Sequence, residues 1–203
     1  MSRRVGCAVL AAGASRRLGY PKQLALHRGV PLVRWAALCA TRSTAAETAL
    51  VVGAHAPAVT EAVSGLPITV LDNPEWGEGI ASSIRTAVAW AERQGHHGLL
   101  LALCDQPRLT PAHLSHLIQL FEQSGLAVAS RYAEKNAVPA IFPRLDFADL
   151  SGLRGDSGAG RLLNGGAIVV DVSWPDGAVD VDTEDEARAH LTSRRGTSPG
   201  RGP

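Results

Sequence analysis

Residues 10–23 read Leu-Ala-Ala-Gly-Ala-Ser-Arg-Arg-Leu-Gly-Tyr-Pro-Lys-Gln and hold the strongest chemical signal in the chain. Ala, Gly and Ser let backbone N–H groups approach an anion closely, while Arg16, Arg17 and Lys22 supply charge-assisted hydrogen bonds. That combination suits a loop wrapped around phosphates. Lysine usage sharpens the point, because the chain has 18 Arg and only two Lys, Lys22 and Lys135. An ammonium is a compact point charge that fits between phosphate oxygens where a planar guanidinium does not. The segment is neither a Walker A loop nor a Gly-x-Gly-x-x-Gly fingerprint.

Asp105 is the second candidate. It follows the uniformly apolar run Leu99–Leu103, where burying an unpaired carboxylate would cost several kcal/mol. It therefore needs a cation, either a structural arginine or a metal ion. Asp176, Asp180, Asp182, Glu184, Asp185 and Glu186 form an acidic cluster near the other end, read either as metal-ligating or as a solvated turn and helix start. Ser82 and Ser83 follow Gly79 at a helix start, where exposed N–H groups can meet a ligand or simply be capped. His113 and His116 lie three apart on a helix without a third ligand of matching spacing, which predicts a solvated face. His96-His97 reads as a loop pair. No Ser-His-Asp or Cys-His constellation is evident.

These groups must be positioned by alternating strands and helices, the pattern of βαβ units and a mostly parallel sheet. Strands are predicted at Val5–Leu10, Thr48–Val52, Ile68–Leu71, Leu99–Leu103, Ala127–Ser130, Ala137–Phe142 and Ala167–Val170. Helices are predicted from Pro31 to about Ala46, with Leu32, Trp35, Leu38 and Cys39 on the buried face, and over Pro57–Ser64 and Gly79–Arg93. Others are expected from a Thr110 cap through Pro111 to about Gln123, and over Glu184–Thr192. Both the 11–23 loop and Asp105 directly follow strands, so they share the carboxyl edge of the sheet, where α/β proteins bind ligands.

Composition narrows the classes. With 203 residues and 45% hydrophobic content, one domain is the simplest count, taken as 1–193 with a disordered tail over 194–203. A formal net charge of +1 argues against a nucleic-acid binder. Charge is segregated: no Asp or Glu precedes Glu47, whereas eight Lys and Arg do. Three widely spaced cysteines, Cys7, Cys39 and Cys104, indicate neither a disulfide framework nor a zinc site and fit a reducing compartment. No apolar run reaches the ~20 residues that span a bilayer, and no secretory signal is present, so a cytoplasmic protein is expected.

In order, the 10–23 loop resembles the signature of the MobA/MocA-like nucleotidyltransferases, and most closely the molybdenum cofactor cytidylyltransferase branch. Asn73-Pro-Glu-Trp-Gly-Glu-Gly-Ile-Ala-Ser-Ser-Ile84, Cys104-Asp-Gln-Pro107, Val138-Pro-Ala-Ile-Phe142, Gly155-Asp-Ser-Gly-Ala159 and Asp180-Val-Asp-Thr183 are similar to the family's other blocks. The family usually reads Gly-Asp-x-Gly-Ala-Arg, whereas Gly160 here precedes Arg161. The resemblance implies a three-layer Rossmann-like α/β fold with a mixed, mostly parallel sheet.

The resemblance also implies site roles and a reaction. Leu10 and Ala11 would belong to the nucleotide-binding site, backbone amides around Ala12, Gly13 and Ser15 would hold the nucleotide's phosphates, and Arg16 and Lys22 would neutralise charge at the α-phosphate. Ser83, Gly53 and Asp72 would lie near the base or ribose, and Asp105 and Asp182 would ligate Mg²⁺, with Asp180 as the fallback. The Gly155–Gly158 loop would face the acceptor or the phosphates. The implied reaction transfers CMP from CTP to a molybdopterin-type acceptor, with a molybdoenzyme receiving the product. Another phosphorylated acceptor, such as a sugar phosphate or small acid, or a non-catalytic cofactor chaperone, remains open.

Overall fold

Strand β1 (Val5–Leu10) is buried at every position, because neighbours pair on both edges and helices cover both faces. The computed structural model describes residues 3–15, 19–166 and 168–179. After β1 come a short hairpin, β2 (Leu26–His27) and β3 (Val30–Pro31), then α1 (Leu32–Thr41), β4 (Glu47–Val52), α2 (Ala56–Ala62) and β5 (Thr69–Asp72). The chain continues through α3 (Ile80–Arg93), β6 (Gly98–Leu103), α4 (Pro111–Ser124), β7 (Ala127–Tyr132) and β8 (Lys135–Pro143). It closes with α5 (Phe147–Ser151), α6 (Gly160–Leu163) and β9 (Val169–Ser173).

The seven-stranded sheet runs β5-β4-β1-β6-β8-β7-β9. It is parallel except where β8 lies antiparallel to β6 and β7. Alternation along β1 divides the interior in two. Val5, Cys7 and Val9 meet residues of α1 and α4 on one face, while Ala8 and Leu10 meet α3 and α5 on the other. The result is the three-layer, single-domain α/β architecture expected, with a mixed, mostly parallel sheet. Among the described residues no helix is long and apolar enough to cross a membrane.

Several expectations are corrected locally. Helix α1 stops at Thr41 because the Ser43 hydroxyl takes the Ala40 carbonyl at 2.7 Å and accepts from Ala45 N at 3.2 Å, which offers the backbone an alternative to another turn. Trp35 and Leu38 are only partly buried, and Val33, Ala36, Ala37 and Ala40 join Leu32 and Cys39 in the interior. His96 and His97 lie in the loop between α3 and β6 as expected, but His96 is fully buried, edge-on to Trp90 with ring centroids 4.9 Å apart, and burial pushes its pKa down. The cap at Thr110 forms as expected, its hydroxyl accepting from His113 N at 3.2 Å. The closing helix over 184–192 and the tail lie outside the described residues.

Candidate active site

The sheet delivers two loops to one place. Leu10 of β1 pairs with Leu103 of β6, so Ala11 and Cys104 leave the sheet side by side. A cleft of about 470 Å³ opens beyond them, lined by the 10–15 segment, Lys22, Trp76, Ser83 and Asp105 among others.

The first wall is a backbone loop held rigid by one side chain. Gln23, 1% exposed, donates through Nε2 to the carbonyls of Ala11 at 3.0 Å and Gly13 at 2.6 Å. Its Oε1 accepts from the Ser15 hydroxyl at 3.2 Å, and Ser15 Oγ accepts from Lys22 N at 3.0 Å. With these carbonyls turned to Gln23, the loop is pinned open around the cleft. Ala11 and Ala12 are buried at its root, where Ala12 O accepts from Ala54 N at 3.1 Å.

Across the cleft, Asp105 Oδ2 stands 2.5 Å from Lys22 Nζ, in a pair whose side chains are 11% and 20% exposed. Among the described residues, the cation that meets Asp105 is Lys22. Its other oxygen, Oδ1, is buried without a hydrogen-bond partner among the described residues. Gln106 anchors the Asp105 loop from below, Nε2 donating to Tyr132 Oη and Val138 O, both at 3.2 Å. Burial pushes the adjacent Cys104 thiol up to about 12, with the Asp105 charge adding to the effect, so it stays protonated.

The far end of the cleft is the start of α3. Ser83 lines it, and Asn73 Nδ2 donates to Ser82 Oγ at 2.9 Å and to Ser83 Oγ at 3.1 Å, fixing both hydroxyls. The Gly155–Gly158 loop packs over this end: Ala81 N donates to Gly155 O at 3.1 Å and Gly155 N to Glu78 Oε1 at 3.0 Å. Glu78 is in turn gripped by Arg85, whose hydrogen bonds, with that of Gly155, hold the carboxyl down near 2. Asp156 also lines the cleft.

Not every expected residue lines it. Gly53 sits behind the wall, where a Cβ would meet Trp76 Cβ at 2.6 Å and Ala12 Cβ at 2.8 Å. Asp72 is exposed at the end of β5 and Arg161 is exposed in α6, both away from the cleft lining. Arg16, Arg17, Asp180 and Asp182 lie outside the described residues. Among the described residues no three His, Cys, Asp or Glu side chains are grouped to hold a metal ion.

The expected solvated face at His113 is corrected. His113 stacks on Trp174 with centroids 4.5 Å apart and its Nε2 lies 2.7 Å from Ser130 Oγ, which itself donates to Pro139 O at 2.7 Å. With the Ser130 hydroxyl donating to Pro139 O, His113 Nε2 donates to Ser130 Oγ, and burial lowers the pKa of the ring to about 4, which keeps it neutral at pH 7. Sequence reasoning missed Gln23, Trp76, Glu78 and Gln106 as site-building groups. The first was signalled by its place directly after Pro21-Lys22, and the others by their presence in the 73–84 and 104–107 blocks.

Comparison with known proteins finds relatives of this chain by sequence and by fold. A MobA-like NTP transferase domain model matches residues 7–171. Purine catabolism protein PucB of Bacillus subtilis (strain 168) is 33% identical over 194 residues, covering 87% of this chain and 91% of that protein. Nicotine blue oxidoreductase of Paenarthrobacter nicotinovorans is 31% identical over 191 residues, covering 88% and 92%. The crystal structure of Rv0371c from Mycobacterium tuberculosis H37Rv superposes with a TM-score of 0.80 at 31% identity, over 93% of this chain and 98% of that one. Rv0371c has also been solved in complex with manganese, with a TM-score of 0.74 at 29% identity over the same shares.

Proposed function

The chain belongs to the MobA-like NTP transferase family and is a nucleotidyltransferase, and from that premise we propose that it transfers CMP from CTP to a molybdopterin-type acceptor. An oxygen of the acceptor phosphate attacks the α-phosphorus, the bond to the β-phosphate oxygen breaks, and pyrophosphate leaves with the bonding pair. The observation that carries this reading is the single cleft in which the 11–15 loop and Lys22 meet Asp105.

The chemistry asks little else of the chain. An acceptor phosphate is anionic at neutral pH and needs no strong base, which agrees with a cleft whose thiol is held protonated and whose cation is Lys22. Backbone N–H groups of the pinned loop would bind phosphate oxygens, and Lys22 and Arg16 would neutralise the charge that develops as the bond to the leaving group stretches.

A divalent ion, Mg²⁺ by expectation, fits the donor set. Asp105 offers a buried oxygen without a hydrogen-bond partner among the described residues, and Mg²⁺ is commonly held by one or two carboxylates plus substrate phosphates. Asp105 would hold it, with Asp182 as the second carboxylate, and when bound it would neutralise phosphate oxygens. Ser83 is proposed at the base. The loop reads Leu-Ala-Ala-Gly, like the cytidylyl branch it resembles, where guanylyl relatives tend to read Leu-Ala-Gly-Gly, and the Ala12 side chain at the loop root beside Gly53 would restrict a larger base, which favours CTP over GTP. Free, buried thiols at Cys7, Cys39 and Cys104 accord with a cytoplasmic setting, where a molybdoenzyme would receive the product.

The test is direct: incubate the protein with Mg²⁺, each NTP in turn and purified molybdenum cofactor, and identify the product by mass. A cytosine dinucleotide with released pyrophosphate is expected. Preference for GTP overturns the base assignment. Turnover only with a sugar phosphate or phosphorylated acid overturns the acceptor, and tight binding without turnover points to a chaperone.

A further inference from the structure

A second cavity, of about 430 Å³, opens where the turn between β2 and β3 meets the segment leading from β6 to α4. It shares no lining residue with the cleft. We propose that it is a separate binding site for a small aromatic phosphate, a planar ring bearing a phosphate monoester, with the ring against a wall built around Trp35 and the phosphate taken by Arg28 and Arg108. The wall is apolar and already in place. Trp35 Nε1 donates to Leu109 O at 3.2 Å, which ties α1 to the 107–110 segment, and the buried His27 ring stands edge-on to the indole with centroids 5.2 Å apart. Pro107 and Leu109 continue the lining. A ring entering here meets surfaces that need no further ordering, and the volume lies in the range of small-molecule sites.

The charge of the site comes from two guanidiniums. Arg28 occupies the hairpin turn at φ +52°, with Cζ 5.6 Å from the Trp35 ring centroid, so the indole holds a planar cation beside the wall. Arg108 Nη1 lies 2.6 Å from Asp176 Oδ1, and the two side chains are 52% and 54% exposed. An ion pair so open to water contributes little, whereas a guanidinium grips phosphate through two parallel charge-assisted hydrogen bonds. A phosphate monoester, with roughly −1.5 to −2 charges at pH 7, therefore displaces Asp176 from Arg108. Asp176 acts as a built-in competitor that weaker anions do not dislodge. A phosphate held by these arginines lies outside the cleft of Lys22 and Asp105, so the ligand is a second molecule rather than the reacting acceptor.

Calorimetric titration of the full chain with phenyl phosphate and with methyl phosphate tests the site without nucleotide or metal. Phenyl phosphate should bind roughly two- to tenfold more tightly than methyl phosphate, the worth of a ring on an aromatic wall. Arg108→Ala should weaken phenyl phosphate roughly tenfold or more, and Arg28→Ala should act in the same direction. Asp176→Asn should tighten it by up to about fivefold, a gain that mere damage to the surface would not produce. Lys22→Ala should leave the affinity unchanged. Equal affinity for the two probes, undiminished binding by Arg108→Ala, or no gain with Asp176→Asn overturns the proposal. So does loss of binding in Lys22→Ala, which would place the probe in the cleft. Because no cleft residue takes part, failure of the site leaves nucleotidyl transfer standing.

Discussion

Gln23 holds Gly13 by a 2.6 Å hydrogen bond from its side-chain amide to the Gly13 carbonyl, and through this contact a residue ten positions later sets the shape of the phosphate loop. A second bond to Ala11 O fixes the loop root. Gln23→Ala strands two carbonyls and the Ser15 hydroxyl, at a cost of about 1–3 kcal/mol. The expected outcome is a lower thermal midpoint together with a raised KM for nucleotide, measured by calorimetry and pyrophosphate release.

Lys22→Ala should remove about 2.7–4 kcal/mol of transition-state stabilisation, or roughly a 10²–10³-fold loss in kcat. Single-turnover kinetics at saturating nucleotide separates this from weakened binding. Wild-type turnover by the variant would refute the role assigned to the ammonium.

Gly79 at the start of α3 has φ +125°, and a Cβ there would meet Asp156 Oδ1 and Gly155 O, each at 2.5 Å. Gly79→Ala should therefore cost on the order of 1–3 kcal/mol of stability and push the 155–158 loop off the helix. Urea denaturation reads the first effect, and protease sensitivity near Gly155 the second.

His113 makes stability depend on pH. Its native pKa is lowered to about 4 from 6.5, so between these values the unfolded chain binds the extra proton. Stability from this group is fully present above about 6.5, falls as pH drops, and is lost through about 4. Because the ring is only partly buried, the effect is on the order of 1–3 kcal/mol. His113→Gln should flatten that slope in denaturation curves, and NMR titration should show the depressed pKa directly.

Much of the framework was legible in the residues. Continuous apolar runs marked β1 and β6 because strands covered on both faces need no alternation, and Thr110-Pro111 marked the start of α4 by its own capping chemistry. The β2–β3 hairpin was not legible, since its strands are two residues long and its turn is made by Arg28 and Gly29 at positive φ. Nor was the reversal of β8, whose antiparallel placement is set by a turn through Ala133 and Glu134, residues without a strong turn preference. At the site, Lys22 and Asp105 stood out by type and position. Gln23, Gln106 and His113 did not announce their partners, which lie on segments that only the folded sheet brings near.

The pairing of Leu10 with Leu103 has a lasting practical meaning. Because adjacent rungs of one ladder set how far the anion cradle stands from the carboxylate, that spacing is insulated from insertions or deletions in the peripheral connections. The acceptor-facing end can thus be remodelled, by natural drift or by a protein engineer, while the phosphate chemistry keeps its gauge.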